Sequence, residues 1–207
     1  MKTIIVSQGR WHEPKRGETR EGIDTRLISM MDNLGLLPAP MPNGLSNPQF
    51  FISQIRPEGI LLSGGNNIGD EPERDNTERV LLEHARTHGL PALGICRGMQ
   101  MMNVFLGGSI TQVTGHAGVR HSVSGAMTAE ENWSVNSFHN FGIGALASDL
   151  RIEAQAFDGG IEAVSHATMP WCGIMWHPER EEALNASDVA LFQRVFFDTK
   201  DFEKGTA

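Results

Sequence analysis

A chain of 207 residues has the size of one domain and can bury a substantial core. Its apolar share of 40% and charged share of 20% are ordinary for a globular protein, and no run nears the ~20 apolar residues of a membrane helix. The apolar start is too short for a secretory leader, so a soluble, cytoplasmic protein is expected, and a net charge of −8 argues against nucleic acid as a partner.

Along the chain, TIIVS at 3–7 reads as a buried strand. Residues 19–34 place Ile23, Leu27, Met30, Met31 and Leu34 at helical spacing. A short strand is expected at 36–40. A helix follows to about residue 55, with Asn47 as its cap and Pro48 at its first position. GILLS at 59–63 is a strand ending in Gly64-Gly65. The span 73–88 is helical, with Gly89 as its stop. PALGI at 91–95 is a strand, and 97–106 is a helix. In the second half, 151–157 and 161–166 flank Asp158-Gly159-Gly160 as a hairpin. WCGIMW at 171–176 is another strand, and Ser187 caps a last helix to about residue 197. Alternating strands and helices predict an α/β fold, a mostly parallel sheet with helices on both faces, in one domain spanning 1–207. The hairpin predicts a small antiparallel region in the C-terminal half.

Chemistry concentrates at Leu93-Gly94-Ile95-Cys96-Arg97-Gly98-Met99-Gln100. Read as strand, turn and helix, this segment holds Cys96 at the carboxyl end of a strand, where open α/β sheets place their sites. Gly94 and Gly98 permit a sharp turn and close helix–sheet packing, the pattern of a nucleophile elbow with Cys for Ser. A cysteine at a helix N-terminus faces the positive end of the backbone dipole, which favours the thiolate. The backbone N–H of Arg97 can then donate to a developing oxyanion.

A cysteine nucleophile needs a base. His177 follows the strand at 171–176, and Pro178 restricts the backbone on either side of it. Glu179 can hold one imidazole nitrogen while the other faces the thiol, giving nucleophile, base and orienter. Taken alone, His-Pro-Glu also describes a surface loop, and Gly64-Gly65 also describes a plain turn. No Lys-Ser/Thr follows the glycines, which excludes a phosphate loop.

GICRGMQ followed by HPE, with LSGGNN ahead of both, resembles the class I glutamine amidotransferase-like superfamily. The resemblance covers most of the chain. It implies a three-layer flavodoxin-like sandwich and a Cys96–His177–Glu179 triad, with Gly65 N–H joining Arg97 N–H in the oxyanion hole. Arg97 directly after Cys96 is similar to the γ-glutamyl hydrolase branch, the peptidase C26 type, whereas ammonia-donating subunits more often carry an uncharged residue there. Ser7-Gln8, Arg20-Glu21-Gly22-Ile23-Asp24, Gly64-Gly65-Asn66 and 136–142 (NSFHNFG) are similar to hydrolases acting on γ-glutamyl-CDP-amidate. This implies a small-molecule γ-glutamyl substrate, a cytidine nucleotide conjugate, in capsule phosphoramidate synthesis. A glutaminase subunit feeding a synthase and a γ-glutamyl-γ-aminobutyrate hydrolase stay open as alternatives.

The resemblance implies that Ser137 and Phe138, with His139 nearby, hold the glutamyl amino and carboxylate groups. Gln100 can reach the same pocket or be an ordinary helix residue. Arg20 can clamp a carboxylate or phosphate, or be a solvated charge at a helix start. No cofactor is implied. His116 and His121 are five residues apart with no ligand-spaced Cys, His or Asp cluster around them, so no metal is expected. Cys96 and Cys172 are the two cysteines, expected as free thiols, with Cys172 packed in its strand. Glu130-Glu131 reads as a solvated charge run. The oligomeric state has no signature in the sequence.

Overall fold

The computed structural model describes residues 1–127 and 133–198; Glu130-Glu131 lies outside them. The strands in chain order are β1 (Lys2–Ser7), β2 (Gly9–Glu13), β3 (Glu18–Gly22), β4 (Leu36–Met41), β5 (Gly59–Leu62), β6 (Ala92–Ile95), β7 (Ile110–Gln112), β8 (Ala117–Ser124), β9 (Trp133–Phe138), β10 (Phe141–Ile143), β11 (Leu150–Ala156), β12 (Ile161–His166) and β13 (Trp171–Ile174). The helices are α1 (Thr25–Asn33), α2 (Pro48–Ile55), α3 (Pro72–His88), α4 (Arg97–Phe105) and α5 (Ala186–Phe196), with one 3₁₀ turn at Pro178–Arg180.

One nine-stranded sheet runs β4-β1-β5-β6-β13-β12-β11-β8-β9. Its first five strands are mutually parallel. Taken by themselves they have the 2-1-3-4-5 order of flavodoxin-like sheets. From β13 onward every pairing is antiparallel. The hairpin expected around Asp158 is the β11–β12 pair, and β8 and β9 extend the same sheet beyond it.

Alternation along the parallel strands sorts their side chains to two faces, as a pleated sheet buried on both sides requires. Ile4, Val6, Leu61 and Leu93 pack with Leu27, Met30 and Met31 of α1 and Leu191, Phe192, Val195 and Phe196 of α5. Ile5, Ile60, Leu62 and Ala92 pack on the opposite face with Ile52 of α2, Leu81, Leu82 and Ala85 of α3, and Met101 and Met102 of α4. Each fully buried Leu or Ile contributes about 1.5–3 kcal/mol, so these two layers fix the frame that carries the site.

Local capping follows the sequence in most places. Asn47 Oδ1 accepts from Phe50 N at 3.0 Å, Pro48 opens α2, and Gly89 ends α3 with φ +62°. Two boundaries differ from expectation. The helical reading of 19–34 holds only from residue 25, because Glu18–Gly22 pairs antiparallel with Gly9–Glu13 and Asp24 caps α1 through Arg26 N. The last helix is capped by Asn185 rather than Ser187: Asn185 Oδ1 accepts from Asp188 N at 2.8 Å, so the helix begins ahead of the hydroxyl. No helix among the described residues is long and apolar enough to cross a membrane.

Candidate active site

The carboxyl ends of β5, β6 and β13 lie side by side in the sheet, and each delivers one part of the site. β6 delivers Cys96. Its backbone has φ +51° and ψ −105°, a conformation that costs a non-glycine residue on the order of 1–3 kcal/mol and persists where surrounding structure enforces it. The enforcement is visible. Cys96 N donates to Ile174 O at 2.7 Å, and Cys96 O accepts from Gln100 N at 3.1 Å. A Cβ on Gly94 would meet Gly98 C at 2.5 Å, and one on Gly98 would meet Leu62 O at 2.2 Å. Both glycines of the elbow are therefore demanded by contact between α4 and the sheet.

β13 delivers His177 at the entrance to the 3₁₀ turn. Its Nδ1 lies 2.6 Å from Glu179 Oε1, and Cys96 hydrogen-bonds the same ring. Burial opposes the charged imidazole, but the contacts with Cys96 and Glu179 outweigh it and hold the His177 pKa up at about 9. The His177 backbone is bracketed by Asn136, whose Oδ1 accepts from His177 N at 2.9 Å and whose Nδ2 donates to His177 O at 2.8 Å. Phe138 closes the ring edge-on at 5.9 Å, and the Arg180 guanidinium stacks 4.6 Å from the Phe138 centroid.

β5 delivers the Ser63–Gly64–Gly65–Asn66 loop. Gly65 has φ +118°, which only glycine adopts without strain, and a Cβ on Gly64 would lie 2.6 Å from His177 Cε1. Beneath the loop the fully buried Arg74 donates to Ser63 O at 2.8 Å, Gly64 O at 2.9 Å and Asn66 Oδ1 at 3.0 Å. Arg74 Nε also donates to Glu78 Oε1 at 3.0 Å, while Glu78 Oε2 and Asp75 accept from the Arg97 guanidinium. One buried chain, Arg74–Glu78–Arg97, thus ties the glycine loop to the elbow. The Arg97 side chain faces Glu78 and Asp75, so its main chain alone is available to the cleft.

A cavity of about 360 Å³ opens over the glycine loop and His177, lined by Trp11, Gly22, Leu27, Gly65, His177 and Arg180 among others, with Cys96 outside that lining. Trp11, 53% exposed, lies across Gly9 and Gly22 of the β2–β3 ribbon at the cavity edge. The remaining expected substrate residues are dispersed. Arg20 is on β3 and pairs with Glu18 at 2.8 Å in solvent, away from the cavity lining. Gln100 is buried and donates to Phe141 O at 2.7 Å. The Ser137 hydroxyl is buried and donates to His116 O. Phe138 alone of that loop packs on His177; His139 is buried with Nδ1 3.1 Å from Phe141 O.

Sequence reasoning missed Arg74, Glu78, Asn136, Trp11 and Arg180 as parts of the site. Arg74 and Glu78 have the i,i+4 spacing of a helical ion pair, but that spacing carries no sign that the pair reaches under a distant loop. The expectation that no ligand cluster surrounds His116 and His121 is corrected. The fold brings His139 and Glu162 to them, and all four are buried. Those two residues come from β9's end and β12, beyond any local spacing rule. Cys172 is buried as expected, and burial pushes its thiol pKa up to about 11.

The model of the glutamine amidotransferase class-I family matches residues 25–198. A γ-glutamyl-CDP-amidate hydrolase of Campylobacter jejuni is 37% identical over 134 residues, 62% of this chain and 65% of that protein, so the match spans just under two thirds of the relative. A γ-glutamyl-γ-aminobutyrate hydrolase of Escherichia coli O157:H7 is 29% identical over 88% of this chain and 86% of its own length. Among solved structures, a glutamine amidotransferase of Thermotoga maritima superposes with a TM-score of 0.63 at 15% identity, covering 97% of this chain and 83% of that one, a likeness of fold. With a family match over residues 25–198, most of its length, this chain belongs to the class-I glutamine amidotransferase family.

Proposed function

We propose that the protein is a cysteine hydrolase that cleaves a γ-glutamyl amide to glutamate and an amine or phosphoramidate. The observation that carries this reading is His177, a buried ring with Nδ1 2.6 Å from Glu179 Oε1 and with Cys96 against it, an arrangement that favours the charged imidazole. An imidazolium beside a thiolate is the resting pair of a cysteine nucleophile, ready to give its proton to a leaving group.

In the proposed reaction the Cys96 thiolate attacks the γ-carbonyl carbon. The resulting oxyanion accepts from the N–H groups of Gly65 and Arg97. As the C–N bond breaks, His177 passes its proton to the leaving nitrogen, and a γ-glutamyl thioester remains on Cys96. Neutral His177 then takes a proton from water, whose oxygen attacks the thioester; glutamate departs and the thiolate–imidazolium pair returns. The Arg74–Glu78–Arg97 chain supports the oxyanion assignment because it braces both donor segments against each other. Preorganised donors need not rearrange as charge develops.

For the leaving group, the proposed substrate is γ-glutamyl-CDP-amidate, in capsule phosphoramidate synthesis in the cytoplasm. Two features of the cavity support an anionic, aromatic leaving group. Trp11 offers a half-exposed indole face, and the partly exposed Arg180 guanidinium, its Nε 3.8 Å from Glu179 Oε1, lines the same cavity. An indole stacks on a base, and a guanidinium pairs with phosphate. The assay measures glutamate release from γ-glutamyl-CDP-amidate, γ-glutamyl-γ-aminobutyrate and glutamine. The nucleotide conjugate is expected to give the highest kcat/KM, with Trp11→Ala raising KM for it alone. Equal or better turnover of glutamine would overturn the substrate assignment.

A further inference from the structure

Four side chains unused by that chemistry converge beside Phe138. His116, His121, His139 and Glu162 are all buried, and one ligand atom of each lies within 4.8 Å of the others. His116 stands at the entrance to β8, His121 within it, His139 just past β9, and Glu162 on β12.

Their separations are long for hydrogen bonds and suit coordination of a shared ion. Glu162 carboxylate oxygens lie 3.3 Å from His116 Nδ1, 3.4 Å from His139 Nε2 and 3.7 Å from His121 Nε2. None of these atoms has a hydrogen-bond partner. Of the twelve buried, unpartnered side-chain polar atoms among the described residues, six belong to this cluster. Leaving a buried carboxylate unsatisfied costs several kcal/mol, so native cores rarely do it. Ligand bonds of about 2.0–2.1 Å in a tetrahedron set neighbouring donor atoms roughly 3.3 Å apart, close to the 3.3 and 3.4 Å that separate Glu162 Oε1 from His116 Nδ1 and His139 Nε2.

The outer contacts point the same way. His116 Nε2 lies 2.8 Å from Asp158 Oδ2, and His139 Nδ1 lies 3.1 Å from Phe141 O. An acceptor on the far nitrogen fixes the proton there and turns the other nitrogen's lone pair inward, the arrangement of a metal-ligating histidine. We propose that His116, His121, His139 and Glu162 bind one zinc-class divalent cation. Three imidazoles with one carboxylate favour Zn²⁺ over the oxygen-seeking Ca²⁺ and Mg²⁺. Four protein ligands make the site closed, hence structural.

Its mechanical consequence follows from the loop it clamps. The His116 carbonyl accepts from both Ser137 Oγ and His139 N, the residues on either side of Phe138. An ion joining β8, β12 and His139 fixes the end of β9, and with it the Phe138 ring against His177. The ion acts by positioning; no reacting atom touches it.

The test uses the full chain, stripped with a chelator and titrated with Co²⁺. Tetrahedral d–d absorption saturating at one ion per chain, displaced by Zn²⁺ and retained in Cys96→Ala, is the expected result. That last arm separates this site from the Cys96–His177 pair, so its outcome is independent of the proposed reaction. Glu162→Gln and His121→Ala are expected to lose the spectrum, and Asp158→Asn to weaken binding roughly 10- to 100-fold. The wild-type titration decides without any variant. Failure to retain a stoichiometric ion through gel filtration, or a spectrum that vanishes in Cys96→Ala, would overturn the proposal and leave a buried His–Glu ion-pair cluster.

Discussion

Gly64→Ala tests the geometry of the site with one methyl group. The new Cβ would stand 2.6 Å from His177 Cε1, where ordinary contact begins at 3.4 Å, so about 0.8 Å must be found. The ring has little room to yield. Glu179 holds Nδ1 at 2.6 Å, Asn136 pins both backbone groups of His177, and Phe138 backs the ring. Gly64 has an ordinary φ, so the backbone itself tolerates alanine. A displacement near 1 Å at a reacting group costs on the order of 100-fold, about 2.7 kcal/mol of barrier. The expected result is a kcat/KM for glutamate release lowered about 100-fold, mostly in kcat. Urea unfolding should show no more than the ~1–3 kcal/mol of a modest overpacking. A folded Gly64→Ala protein that turns over within threefold of wild type would refute the assignment of His177 as the proton donor.

Other consequences are equally open to measurement. Iodoacetamide at pH 7 should label Cys96 and spare Cys172, whose thiol burial holds near 11; labelling at both sites, read by peptide mass, would contradict this. Because His177 titrates at about 9 in the folded chain against 6.5 for a free ring, its contribution to stability is complete below pH 6.5 and is lost as pH rises through 9. The pH profile of kcat/KM should fall along the same limb, and Glu179→Gln should move that limb toward neutral pH. Asp188, raised by burial from 3.8 to about 6 although Trp176 Nε1 donates to it, binds its proton more tightly folded than unfolded. Stability should therefore drop by up to about 3 kcal/mol from pH 4 to pH 6, and Asp188→Asn should remove that drop in urea titrations. Arg74→Met leaves Glu78 with Arg97 as its one remaining buried cation and strips the Ser63 and Gly64 carbonyls of their donor; it should cost about 3–5 kcal/mol and roughly 6–20 °C in Tm, and an unchanged melting curve would show that the brace is not used.

What the sequence decided by itself is local. Apolar runs bounded by glycines placed the parallel strands, because a strand buried on both faces must be apolar throughout; the runs at 59–62 and 92–95 are fully buried, as their composition required. Gly94 and Gly98 announced the elbow because close packing of a helix on a strand leaves no space for a Cβ, and that demand is written at fixed offsets from Cys96. His177 and Glu179 were legible together because proline between them ties two neighbours rigidly. The segment at 19–34 was misread because Ile23 continues a helical pattern across a break that only the pairing of β2 with β3 enforces. Arg97 was legible as a neighbour of Cys96 but not as a link to Glu78, nor was Arg74 legible as the brace beneath Gly64, since nothing near either residue encodes a partner on another element. His116, His121, His139 and Glu162 gather for the same reason: sheet register, set by the packing of whole strands, brings together side chains up to 46 positions apart that no spacing in the sequence could join.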